Sequence, residues 1–308
     1  MIRRDHERAT SVSPDDALAP RGAGQGLPVT GRTRVRERRA GMFAGAGLVV
    51  VDLFRWRHLF VQLVRAELRR ENARLVLGDL WWIADPLLQM VVYTILVSVV
   101  FQRTLPDYPM FVLSALIPWK ALATSVSSGA TAITGNERIV RQLAFPRAVL
   151  PLARLGAQLW RLAVALVVMI GLMLILWPDR ISPNLLWLPV LALVQAVFLL
   201  PFVLVLSAAT VFVRDLANLM RHVMRLALYL SPVLYSVDQL VERVPEPIGA
   251  AYQLNPVALL IDGYRDVAYN ATAPEVSALL LPFGVGLVLL PFALAWFAAM
   301  ERRFGKLL

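Results

Sequence analysis

Long apolar stretches recur along this chain, and most of its charge falls in the gaps between and around them or near their ends. They run from Trp81-Trp82 and Pro86 to Phe101, from Met110 to Ala132, from Leu152 to Trp177, from Leu185 to Val213, from Leu219 to Tyr235 and from Val276 to Phe297. A helix needs about 20 apolar residues to cross about 30 Å of hydrocarbon, and only helices and closed barrels satisfy their backbone there. With 58% of its 308 residues hydrophobic, the chain reads as an integral membrane protein. The gaps then fix the topology. Arg138, Arg141 and Arg147 fill one, Arg214, Arg221 and Arg225 follow another, and Arg302, Arg303 and Lys306 end the chain. Gln102 to Pro109 and Trp177 to Pro183 are brief and mixed in charge. By the positive-inside rule the basic gaps are cytosolic, and six spans with both ends inside sort the charges.

The expected architecture is therefore all-α, with six transmembrane helices over 73–308 and further elements around them. Residues 1–47, rich in Arg, Ser, Pro and Gly, cannot bury a core and read as a disordered basic cytosolic tail against anionic lipid. No apolar segment directly follows Arg3-Arg4, so no cleaved signal is expected. Within 48–72, Leu53, Trp56, Phe60, Val64 and Leu68 recur at helical spacing, opposite Arg55, Gln62, Arg65 and Arg69. That pattern predicts an amphipathic helix lying in the interface. Between spans 5 and 6, from Tyr235 to Pro274, polar and proline-rich breaks interrupt apolar turns, which suits two short helices half-inserted from outside.

Much chemistry is excluded. Without cysteine there are no disulfides and no thiolate sites. His6, His58 and His222 lack ligand spacing, so no metal is expected. Phe304-Gly305-Lys306 lacks the rest of a phosphate loop, and no serine-hydrolase or zinc-protease motif occurs. The net charge of +10 is explained by topology and headgroups rather than nucleic acid. The carboxylates of Asp85, Asp215 and Asp262 read as lying at span ends, which counts against an ion-coupled carrier. The halves show no convincing internal repeat.

Two places call for more than topology. From Thr131 to Pro151 the gap is longer than antiparallel spans require. It opens on Gly135-Asn136, carries Glu137, Arg138 and Arg141, and closes on Phe145-Pro146. Ile139, Val140 and Leu143 repeat at helical spacing, so a short amphipathic helix is expected. A basic loop that only fixes orientation and a helix that receives force from a soluble partner both fit. Lys120, beside Pro118-Trp119, falls near mid-depth, where a lysine costs about 2.5–3.5 kcal/mol unless it faces protein or water. Snorkelling is a long reach from there, and a cavity-facing Lys120 is expected.

Taken in order, these pieces resemble the permease subunit of ABC-2 type transporters, specifically the O-antigen and teichoic-acid exporters. The resemblance rests on Arg69-Arg70, Leu77-Gly78-x-Leu80-Trp81, Pro86, Pro118-Trp119 and Asn136-Glu137-Arg138-Ile139-Val140. Phe145-Pro146, Arg214-Asp215, Ser231-Pro232, Asn255-Pro256 and Tyr264-Arg265 complete it. It runs from about Asp52 to the C-terminus, and the long basic N-terminal tail departs from the pattern. The Ala/Val/Arg-rich composition is similar to that of an actinobacterial protein, where the cell-wall galactan exporter is the nearest kind.

The resemblance implies a non-enzymatic permease, homodimeric, in the cytoplasmic membrane, paired with two copies of an ATPase that binds ATP and Mg. No cofactor is implied in this chain. The cargo would be a lipid-linked glycan on polyprenyl diphosphate. Asn136, Glu137, Arg138, Ile139, Arg141, Phe145 and Pro146 would couple to the ATPase, and Arg214-Asp215 would form a second cytosolic turn. Arg65, Arg69, Arg70 and Trp81 would admit the lipid diphosphate through charge and forked hydrogen bonds, although headgroup contact explains these arginines equally. Tyr93, Trp119, Lys120, Tyr229 and Tyr235 would line the channel, with plain packing as the alternative for the aromatics. Pro232, Asn255, Pro256 and Arg265 would form an outer gate. Competing functions are an ABC-2 permease for a drug or simple lipid, a membrane-embedded transferase of envelope synthesis, and a secondary carrier.

Overall fold

In the computed structural model, residues 55–72, 80–100, 106–143 and 145–307 are described, all within the compact unit Ala40–Leu308. The tail expected over 1–47 lies outside the described residues, as do Leu77 and Gly78 of the resemblance. Every regular element among the described residues is helical, as the lipid requirement for internal backbone bonding dictates.

Among the described residues, five helices are long and apolar enough to cross a membrane. They are Leu80–Ile95 (α2), extended by a π-helical turn over Leu96–Val100; Tyr108–Ala130 (α3); Val149–Leu176 (α5); Leu188–Phe212 (α6), led by a 3-10 turn over Pro183–Trp187; and Val276–Leu307 (α11). Arg57–Asn72 (α1) precedes them, and Glu137–Gln142 (α4) sits in the first inner gap. The last helix does not stop at Phe297. It carries the basic end of the chain as helix, because Phe304 is fully buried there among Ile133, Val140, Val211 and Phe297.

The expected fifth span is Leu216–Leu230 (α7), only 15 residues long, because it stops at Ser231-Pro232. At 1.5 Å per residue it rises about 22 Å, short of the hydrocarbon thickness. It nevertheless joins the two ends of the bundle. At its start Arg214 pairs with Glu137 of the inner gap (3.3 Å), and beyond its end the Leu234 carbonyl accepts from Tyr108 Oη at the outer end of α3 (3.0 Å). Beyond its end the chain turns at residues 231–233, where the Val233 N–H donates to the Ser231 carbonyl (2.7 Å).

Three outer helices follow rather than two: Val237–Val241 (α8), Glu246–Gln253 (α9) and Pro256–Ala268 (α10). Ser236 and Gln239 close a capping box on α8, and the Asn255 side chain caps α10 at Val257 N (3.0 Å) with Pro256 in its first turn. The half-inserted reading fails to anticipate α10, a core element whose Leu260, Ile261, Tyr264 and Val267 are buried against α3, α5 and α6. Tyr264 Oη donates to Gln195 Oε1 (3.0 Å), and Gln195 Nε2 donates to the Pro118 carbonyl (3.0 Å). That relay satisfies a polar side chain inside two proline-containing spans. Where α11 crosses α6, a Cβ on Gly286 would stand 2.5 Å from the Val197 carbonyl oxygen. Only glycine permits so close an approach.

Candidate functional site

The first inner gap is built as a tethered loop. A 3-10 turn over Thr134–Asn136 leads into α4, and the Asn136 side chain donates back to the Ala132 carbonyl (2.8 Å). Val140 is buried with Ile133, and Phe145 packs on the same inner cluster. Arg138, Arg141 and Gln142 are exposed, as the amphipathic reading requires. Leu143 departs from it. The helix ends at Gln142, Leu143 is in extended backbone, and its side chain is 61% exposed. The exposed face of the loop is therefore Arg138, Arg141, Gln142 and Leu143, two cations beside an apolar side chain.

Three tethers hold this loop to the bundle. Glu137 pairs with Arg214, so the structure brings α4 and the turn at Arg214-Asp215 together, with Asp215 exposed beside it. Next to Pro146, Arg147 donates its backbone N–H to Glu301 Oε1 and its Nη1 to the Glu301 carbonyl (both 2.8 Å), and lies over the Phe304 ring. The third tether, invisible in the sequence, is Arg154. From α5 it donates Nε to Glu67 of α1 (3.1 Å) and Nη1 to the Ser128 carbonyl (2.7 Å) and the Thr131 hydroxyl (2.6 Å). Such charge-assisted bonds are the strong ones.

Lys120 is not left alone in the membrane. Its Nζ is 2.9 Å from Asp85 Oδ2, with the lysine side chain 20% exposed and the aspartate 48%. Counting eight residues of α3 from Ser128, the pair sits about 12 Å above the level of the third tether. Asp85 is thus a partner within the span, which corrects its reading as an end carboxylate. Trp82 faces both Lys120 (5.5 Å) and Arg161 (4.2 Å), a use of its ring that the interfacial-belt reading did not foresee. Trp119 is 5% exposed among Phe111, Leu155 and Phe198. It is core packing and presents no face to a channel.

The remaining aromatics do converge. The Tyr93 side chain lies near that of Tyr229. Tyr235 Oη donates to the Tyr229 carbonyl (3.3 Å) and meets the Tyr252 hydroxyl (3.1 Å). Tyr252, which sequence reasoning missed, donates to the Leu230 carbonyl (2.8 Å), and burial raises its phenol. Of the outer-gate residues, Pro232 and Arg265 touch, whereas Asn255 and Pro256 serve the start of α10. Arg265 Nη2 donates to the Pro232 carbonyl (2.5 Å), Nη1 to Asp262 (2.8 Å), and the guanidinium lies 4.0 Å from the Phe111 ring. Burial lowers the Arg265 pKa against the pull of Asp262. On α1, Arg65, Arg69 and Arg70 are exposed, Arg70 only 4.0 Å from Glu67, and Trp81 is exposed on α2. Among the described residues no cluster of three or more histidines or carboxylates is placed to hold a metal.

Comparison with known proteins bears on this geometry. The family described as ABC-2 type transporter matches residues 58–269. The O-antigen export system permease protein RfbA of Myxococcus xanthus is 30% identical over 260 residues, covering 84% of this chain and 98% of that protein. Two proteins of the same name from Klebsiella pneumoniae are 27% and 26% identical over 253 residues, covering 81% of this chain and 95% of each.

Proposed function

The chain belongs to the ABC-2 type transporter family, and from that premise we propose that it is the permease of an ATP-driven exporter moving a polyprenyl-diphosphate-linked polysaccharide. It is a multi-pass membrane protein and a transporter component that works with an ABC ATPase. Relatives named as O-antigen export permeases, matched over nearly their whole length, support polysaccharide as the cargo class. In this reading two permease copies pair with two ATPase copies in the cytoplasmic membrane, and both chain ends lie in the cytosol. ATP and Mg are bound, and ATP is hydrolysed, in the partner subunit.

The inner loop carries the reading. Its exposed Arg138, Arg141 and Leu143 offer a docking face, while Glu137, Arg147 and the buried Ile133 and Val140 root it in the bundle. A loop so built transmits a push rather than absorbing it. The cationic face of α1 at Arg65, Arg69 and Arg70, with Trp81, suits the lipid diphosphate through forked hydrogen bonds. The row Tyr93, Tyr229, Tyr235 and Tyr252 offers aromatic faces to sugar rings leaving outward, and Lys120 with Asp85 keeps charge on a watered wall of the path.

The test is the triple substitution Arg138→Ala, Arg141→Ala, Leu143→Ala in the full chain, with its ATPase co-expressed. The variant is expected to insert normally, to lose co-purification with the ATPase, and to lose glycan export. Undiminished assembly and export in that variant would sink the docking assignment.

A further inference from the structure

Arg154 joins three elements that nothing else brings to one point. Its side chain, in α5, is one-tenth exposed, and Glu67 of α1 is nearly as buried. One Nη is spent on the Ser128 carbonyl at the end of α3 and on the Thr131 hydroxyl at the start of the inner loop. The other Nη faces Gly135, where an added Cβ would stand only 2.9 Å from it. The guanidinium is therefore wedged against the loop's backbone on one side and paired with the interfacial helix on the other. The remaining grip on α1 is apolar, with Phe60 and Val64 packed at Gly156, just over half a turn further along α5.

We infer that Arg154 is a positioning residue that transmits displacement of the inner loop to α1, the helix bearing Arg65, Arg69 and Arg70. The inference rests on the proposed function and extends it: the same stroke that reaches the loop reorients the cationic face meeting the lipid diphosphate. The physical reason is the burial of the pair. If the loop moved without Arg154, the guanidinium would lose the Thr131 hydroxyl; if Arg154 moved without α1, the guanidinium and Glu67 would both be left unpaired in a poorly hydrated site. Both are costly compared with moving together. An apolar contact alone allows sliding; a charged, directional hydrogen bond resists it.

Because the chain has no cysteine, single spin labels can be placed at Gln62→Cys on α1 and at Gln142→Cys on the loop, both exposed positions. The complex of full-length permease and ATPase, in nanodiscs, is examined with and without a trapped ATP analogue. In the otherwise wild-type complex both labels are expected to change mobility on trapping. With Arg154→Met the loop label still responds and the α1 label does not, and export per ATP hydrolysed falls about tenfold, within the range that coupling between sites carries. Glu67→Gln, which keeps the shape of the more peripheral partner, is expected to reproduce this, and Arg154→Lys to restore part of the α1 response. An α1 label responding as in wild type in both Arg154→Met and Glu67→Gln overturns the inference alone. A loop label silent in the wild-type complex overturns the docking assignment and the inference with it.

Discussion

Replacing Arg265 by methionine should release the outer hairpin, and the structure sets the size of the effect. The guanidinium is 4% exposed and holds the Pro232 carbonyl, the Asp262 carboxylate and the face of Phe111 at once. Methionine fills much of the same space, so the loss is chiefly polar. It strips one partner from a buried charged pair, which costs about 3–5 kcal/mol. Asp262, 31% exposed at its side chain, rehydrates in part, which places the variant near the lower bound, about 3 kcal/mol. Since a factor of ten corresponds to about 1.4 kcal/mol, opening of the segment from Ser231 through α10 should become about 100-fold more frequent. Arg243, exposed in the turn after α8, is the natural reporter. Cleavage there by an arginine-specific protease follows the open population when reclosing is fast. The purified variant in nanodiscs should be nicked at Arg243 about 100-fold faster than wild type, and Arg265→Lys should fall between them, since an ammonium cannot fork to two acceptors. Cleavage of Arg265→Met at the wild-type rate would refute the claim that this arginine clamps the hairpin.

Burial raises the Asp262 carboxyl to about 6, with Arg265 pulling it down and Asp266 and Asp238 pushing it up. The folded hairpin thus binds this proton more tightly than the unfolded chain. Its penalty is full above pH 6, fades as pH falls, and is gone below the ordinary value of 3.8. The ratio of Arg243 nicking in wild type to that in Asp262→Asn should therefore fall between pH 7 and pH 5, and a flat ratio would contradict the raised value. Asp85→Asn should take the partner from Lys120 and lower thermal stability in nanodiscs, by less than the about 2.5–3.5 kcal/mol of a lysine facing lipid because the watered wall offsets part of it. Lys120→Met should rescue it in the double variant, and an additive double-mutant cycle would deny the pair.

The spans, the inner loop and the interfacial helix were legible because their signals are local. Apolar length marks a span, arginines mark the side read as inner, and of Ile139, Val140 and Leu143 it is Val140 that is buried. Leu143 misled because spacing cannot show that the helix stops one residue earlier. The helix α10 stayed hidden because Asp262, Arg265 and Asp266 interrupt its apolar face, and a polar break reads as surface until its partners are known. Arg265 becomes a core residue only once Pro232, 33 residues away, supplies its acceptor. Arg154 and Glu67 are 87 residues apart, so spacing does not pair them, just as it leaves Asp85 a span-end carboxylate and Lys120 a lone charge near mid-depth.

These hidden pairs share a physical cause. Between helices in lipid, burying apolar surface gives little net attraction, because the lipid tails are as apolar as the partner helix. Association must come from close packing and polar contacts instead. Gly286 supplies the first where α11 meets α6. The second is supplied between α2 and α3 by Asp85 and Lys120, between α1 and α5 by Glu67 and Arg154, between α3, α6 and α10 by Pro118, Gln195 and Tyr264, and between α10 and the end of α7 by Arg265. Each bond joins elements distant in the chain, and each is costly to break one-sidedly. A bundle held this way shifts as stitched groups of helices rather than one residue at a time, which is the mechanical property that the proposed drive from the inner loop requires.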